Sequence, residues 1–85
     1  MSTLDSTLAT WKAAALVALE AKLTYEAAFA AATLAADGKN AEQRKAQADG
    51  QSLGAYGAWK RAEIEAAAAW QVVLYVTASA GRVAA

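Results

Sequence analysis

The chain has no cysteine, no histidine and no proline among its 85 residues. Without cysteine there is no disulfide and no thiol nucleophile. Without histidine as well, nearly all zinc chemistry and the commonest general base are gone. The lack of proline leaves long segments with no obvious break in a helix. Charge of one sign is also scarce: residues 1–37 carry two Lys against four Asp or Glu, and the remainder six Lys or Arg against four, which cancels to a net charge of zero. That balance is far from the basic footprint of a dedicated nucleic-acid binder. Long hydrophobic runs are missing too. The longest uncharged stretch, Ala66 to Gly81, has 16 residues and includes Gln71, Thr77 and Ser79, short of the ~20 that a membrane helix needs. Met1-Ser2-Thr3-Leu4-Asp5 has no basic region, so no signal peptide is expected.

What the chain does have is alanine. Of the 49 apolar residues that make up 58% of the sequence, 27 are alanine, leaving 22 larger apolar side chains. Burying alanine gains little hydrophobic free energy. Its contributions are the highest helix propensity and a thin profile, which lets helices approach at the short end of the usual ~8–10 Å spacing. A single domain of this length has difficulty burying enough surface to offset its ordering entropy, so self-association is expected.

The organising stretch is Asp37-Gly38-Lys39-Asn40-Ala41-Glu42-Gln43-Arg44, a polar break between two alanine-rich segments. It predicts the bend of a helical hairpin. Gly38 is placed to close the first helix in the left-handed conformation. Asn40 is a good N-cap, and Gln43 sits where its side chain can return to the Asn40 amide, as in a capping box. Glu42 adds negative charge near the exposed amides of the new helix.

The first helix is predicted over about 3–36, with Ser2 or Thr3 as its cap. Leu4, Leu8, Trp11, Ala15, Ala18, Tyr25, Phe29, Ala32 and Ala36 fall on one packing seam, interrupted by Lys22. A second row, Leu16, Leu19, Leu23, Ala27, Ala30 and Leu34, runs beside it. A stripe this wide calls for more than one neighbour. The second helix is predicted over about 41–80, with a weak point at 49–57 where Gly50, Gly54 and Gly57 arrive within eight residues; each glycine costs about 1 kcal/mol in a helix interior. A continuous but weakened helix is favoured over a turn at Asp49–Ser52 with Ser52 capping a third helix. Arg82-Val83-Ala84-Ala85 is expected to fray.

The fold class read from these patterns is all-α: one domain, 1–85, forming a long antiparallel helical hairpin that assembles into a helical bundle. Leu8, Trp11, Leu19, Tyr25, Phe29, Tyr56, Trp59, Ile64, Trp70 and Leu74 are the residues expected to pack within it or against a partner. Lys39, Arg44, Lys45, Lys60 and Arg61, interleaved with Tyr56 and Trp59, are the candidate contacts for an anionic partner such as single-stranded nucleic acid. Acidic Glu42, Asp49, Glu63 and Glu65 dilute that patch. Glu63 and Glu65, two apart, face different directions on a helix and make no carboxylate pair. No serine has a histidine to activate it, so no catalytic residue, cofactor or metal is expected.

The block Gly38-Lys39-Asn40-Ala41-Glu42-Gln43-Arg44-Lys45-Ala46-Gln47-Ala48, followed by Tyr56 and Ala58-Trp59-Lys60-Arg61-Ala62-Glu63, resembles small helical-hairpin proteins of tailed bacteriophages, which share a G-K-[TN]-x-x-[EQ]-R bend and an aromatic, Lys-rich second helix. The resemblance covers roughly residues 20–65. It implies a long α-hairpin, a phage origin, the cytoplasm of an infected bacterium as location, and a role in which DNA metabolism is one proposal. The chain departs from that group at 66–80, which is apolar and uncharged where the group has a helix rich in arginine and acidic residues. The expected function is therefore a non-enzymatic, self-associating interaction module. Alternatives are an accessory factor binding single-stranded nucleic acid, and a structural subunit of a virion or membrane-adjacent assembly.

Overall fold

The computed structural model describes residues 2–84, and the side-chain surroundings through residue 80. Three helices, α1 (Thr3–Ala35), α2 (Ala41–Gln51) and α3 (Leu53–Ala84), account for almost all of it, with no strand among the described residues. α1 runs antiparallel to α2 and α3: Trp11 lies against Trp70, and Tyr25 against Tyr56. The protein is an all-α helical hairpin whose returning arm is two helices in succession.

Each start has a local cause. Ser2 is extended (φ −76°, ψ 159°), and its hydroxyl accepts the Asp5 N–H at 3.1 Å, while Asp5 places a negative charge in the first turn. At the other end Ala36 turns extended (φ −66°, ψ 131°) and stops α1. The left-handed closure expected at Gly38 does not occur, because no glycine among the described residues has a positive φ. Gly38 is needed for a different reason. A Cβ there would sit 2.8 Å from the Gln43 Cβ and 2.9 Å from the Arg44 nitrogen, so only glycine lets the loop fold this tightly onto α2.

The break in the returning arm is confined to Ser52 (φ −97°, ψ 4°). The helical ladder crosses it: Ser52 N–H donates to the Ala48 carbonyl at 3.1 Å, and Tyr56 N–H donates to that of Ser52 at 3.0 Å. The Ser52 hydroxyl donates backwards to the Ala48 carbonyl at 2.7 Å, a pattern that bends helices, rather than forwards to cap α3. Gly50, Gly54 and Gly57 are all helical, and a Cβ added at any of them meets nothing within 4 Å, so no backbone approaches them within the hairpin. α3 continues to Ala84; the side chains of the tail that was expected to fray lie outside the described residues.

The hairpin core follows a three–four spacing on both arms. On α1 the covered positions are Leu4, Thr7, Trp11, Ala14, Ala18, Ala21, Tyr25, Ala28 and Ala32, with Leu8, Ala15 and Phe29 along one rim. Ala21 occupies the seam where Lys22 interrupts the sequence pattern. Lys22 lies exposed on the rim and pairs with Glu26 at 4.0 Å. On α3 the facing row is Ala55, Trp59, Ala62, Ala66, Ala69, Val73 and Val76, with Ser52 at its head. Most of these residues are only half-buried. The fully covered set is Ala32, Ala48, Ala62 and Val73, with Ser52 2% exposed.

The molecule measures 66 × 20 × 13 Å, and 13 Å is little more than the ~10–12 Å diameter of one helix. Its radius of gyration is 19.0 Å, against ~12 Å for a compact chain of this length. The hairpin is therefore a ribbon two helices wide and one helix thick. It has an inter-helix seam but no second layer.

Candidate interaction surface

The ribbon divides the expected packing residues into two sets. Leu8, Trp11, Tyr25, Phe29 and Trp59 are half-buried between the arms. Leu19 (52% exposed), Ile64 (68%) and Leu74 (45%) face solvent, and Tyr56 (42%) and Trp70 (38%) lie on the rim of the seam. The second apolar row of α1, from Leu16 through Leu34, is exposed along its whole length, because the single returning arm covers only one side of a helix. The neighbours that row calls for are not supplied within the chain.

The aromatic rings form two clusters. Trp11 and Trp70 sit 4.8 Å apart between centroids. Nearer the bend, Tyr25 is at the centre of a second group: Phe29 at 6.0 Å, Tyr56 edge-on at 5.5 Å and Trp59 stacked at 5.4 Å. Such pairs add about 0.5–1.5 kcal/mol each beyond their buried area, so in an alanine-faced seam the three that join the arms, Trp11–Trp70, Tyr25–Tyr56 and Tyr25–Trp59, carry much of the attraction between them. Beside this group lies a shallow cleft of about 220 Å³, lined by Tyr25, Asp49, Ser52, Leu53 and Tyr56. A second cleft, of about 280 Å³, lies under the bend among Phe29, Thr33, Ala41, Arg44 and Lys45.

Three of the five candidate anion-binding cations already have partners inside the chain. The Arg44 guanidinium donates to the Gly38 carbonyl at 3.1 Å. Lys45 donates to the Asp49 carboxylate at 2.9 Å, and this hydrogen bond and charge raise its pKa above the ordinary 10.5. Lys60 pairs with Glu63 at 3.2 Å and lies 4.0 Å over the Trp59 ring. Lys39 and Arg61 are exposed. Glu65 is exposed as well, and the described residues contain no group of acidic side chains that could hold a metal.

The bend is closed by α2 side chains. Asn40 caps α2, its Oδ1 accepting the Gln43 N–H at 2.8 Å. The return bond from Gln43 goes to Lys39, whose N–H it accepts at 2.9 Å, one residue earlier than the capping-box reading places it. Gln47, which the sequence does not single out, accepts both the Asp37 and Gly38 N–H groups at 3.1 Å. Asp37 and Gln47 are ten residues apart, a separation for which no local pattern exists. Gly38, Asn40, Gln43 and Arg44 thus each have a steric or side-chain task in the bend, to which Lys39 adds only its main-chain N–H. In the described residues no helix is long and apolar enough to cross a membrane. Comparison with known proteins gives no match for this chain among family models, curated proteins or solved structures.

Proposed function

We propose that the chain is a non-enzymatic, self-associating α-helical interaction module, and that its phage-type bend marks its biological setting. The observation that carries this reading is the thickness of the hairpin. A ribbon one helix thick leaves Leu16, Leu23, Leu34, Ile64 and Tyr75 between 55% and 89% exposed. Its accessible surface is 6078 Å², whereas a compact chain of 8.7 kDa has roughly 4,700 Å². The difference of roughly 1,400 Å² exceeds the ~800 Å² that each partner contributes to a standard interface. Sedimentation velocity between about 1 µM and 1 mM is expected to show a reversible assembly that strengthens with concentration. A stable, well-folded monomer throughout that range would sink the reading.

A second reading, contact with single-stranded nucleic acid, draws on Lys60 over Trp59 and on exposed Lys39 and Arg61. Arg44, Lys45 and Lys60 would have to leave partners within the chain to join them. Oligonucleotide binding followed across a salt series decides it: phosphate contacts give an affinity that falls steeply with salt, and no affinity at low salt removes the reading.

A further inference from the structure

Resting on the self-association reading, we propose that one flat face of the ribbon, the one bearing Trp11, Tyr25, Tyr56 and Trp70, is covered by a second copy of the chain. The two stack face to face into a four-helix bundle with their bends at opposite ends. A two-helix ribbon offers two flat faces and two edges. Helical phase places six of the seven aromatic residues, all but Tyr75, on the seam or on one flat face. The opposite face carries Thr3, Thr10, Val17, Thr24, Ala58, Glu65 and Val72 at the corresponding rim positions, with no aromatic ring among them.

Dimensions select stacking over edge-to-edge growth. Two ribbons of 20 × 13 Å placed face to face, with layers ~8–10 Å apart, make a nearly square section with an interior. Side by side they remain one helix thick: contact between outer edges covers Leu16 and Leu23 or Ile64 but encloses no interior. The positions of the ring pairs then set the direction. Trp11–Trp70 lies seven residues to one side of the level of Ala18 and Glu63, and Tyr25–Tyr56 lies seven residues to the other. A half-turn about an axis at that level sets each pair over the other pair of the second copy, as a twofold contact requires, and brings the two copies' Glu63 residues, each paired with Lys60 of its own chain, near one another at the axis. The same rotation brings Trp70 and Leu74, which stand out from the far half, over the cleft at Tyr25, Leu53 and Tyr56 in the near half.

The test combines tryptophan emission with sedimentation. On concentrating the wild-type chain, emission is expected to shift to the blue in step with association, since Trp11, Trp59 and Trp70 all lie on the seam or on this face. Leu53→Glu and Leu74→Glu, both at positions exposed in the single hairpin, are expected to weaken association at least 100-fold with helicity retained. Leu16→Glu, on the outer edge of α1, and Val72→Glu, on the other face, are expected to change it less than threefold. Association without a blue shift, or association lost in Leu16→Glu or Val72→Glu and kept in Leu53→Glu, overturns the face while leaving self-association standing. A wild-type chain that stays monomeric overturns both, and leaves a different protein as the occupant. The emission readout needs no variant, so it decides the question even where a glutamate prevents folding.

Discussion

Gln47 grips Asp37 at both ends of the residue: its side-chain oxygen accepts the Asp37 N–H at 3.1 Å, and its side-chain nitrogen donates to the Asp37 carboxylate at 3.0 Å. The same oxygen also accepts the Gly38 N–H. One amide on the second turn of α2 therefore fixes the chain where it leaves α1. Gln47→Ala removes all three bonds at an exposed site, where each is worth about 0.5–1.5 kcal/mol at most. The expected loss is about 1–2 kcal/mol by thermal or urea unfolding, with the bend amides losing hydrogen-exchange protection before those of the seam.

The two kinds of glycine in this chain are expected to respond oppositely to alanine. At Gly38 the new methyl meets Gln43 and Arg44 backbone at 3.0 Å or less, so the loop must open. A destabilisation of about 1–3 kcal/mol is expected, as for other forced contacts. At Gly54 the methyl meets nothing, and helix propensity alone predicts a gain of about 0.5–1 kcal/mol. Destabilisation by Gly54→Ala, found only at concentrations where the chain associates, would place another backbone against that surface.

Trp59 and Trp70 separate hairpin stability from association. Trp59 is half-buried and stacks on Tyr25, so Trp59→Ala is expected to cost about 2–4 kcal/mol, somewhat below the 3–5 typical of a fully buried ring. Trp70 is 38% exposed and touches Trp11. Trp70→Ala is expected to cost about 1–2 kcal/mol in dilute solution, from ring contact and partial burial. Melting curves at two concentrations measure both. Equal losses for the two variants in the dilute sample would contradict the difference in burial.

With no histidine in the chain, no side chain has an unperturbed pKa between pH 5 and 8, and helicity is expected to vary little across that range. The Lys45–Asp49 pair acts at the alkaline end. Because the pKa of Lys45 is raised in the folded chain, its contribution is complete below the ordinary lysine value of 10.5 and is lost as the pH rises through the higher folded value. Lys45→Gln is therefore expected to melt slightly below wild type at pH 7 and to converge with it above the lysine range. Both side chains are exposed to solvent, so the difference is small and shrinks with added salt.

Sequence pattern by itself determined the all-α class, the position of the bend and the first seam of α1. From Leu4 to Ala36 every seam residue except Lys22 fell on covered positions, because one periodicity controls both where a side chain sits and which side of the helix can be buried. The cap at Asn40 was equally legible, and that of α1 was narrowed to Ser2 or Thr3, since both are bonds to residues within the same turn. Only the tertiary structure decided what holds the bend, since Gln47 reaches Asp37 and Gly38 across ten residues, and Gly38 is required by the closeness of α2 rather than by its own φ. It decided between the weakened helix that the sequence favoured and the turn at Asp49–Ser52: Gly50, Gly54 and Gly57 are helical and only Ser52 departs, because propensity is a weak penalty beside the packing of a whole arm on α1. And it alone divided the apolar residues into seam and surface: alanine is apolar on every side of a helix, so composition gives no direction to burial until a second helix takes up its position.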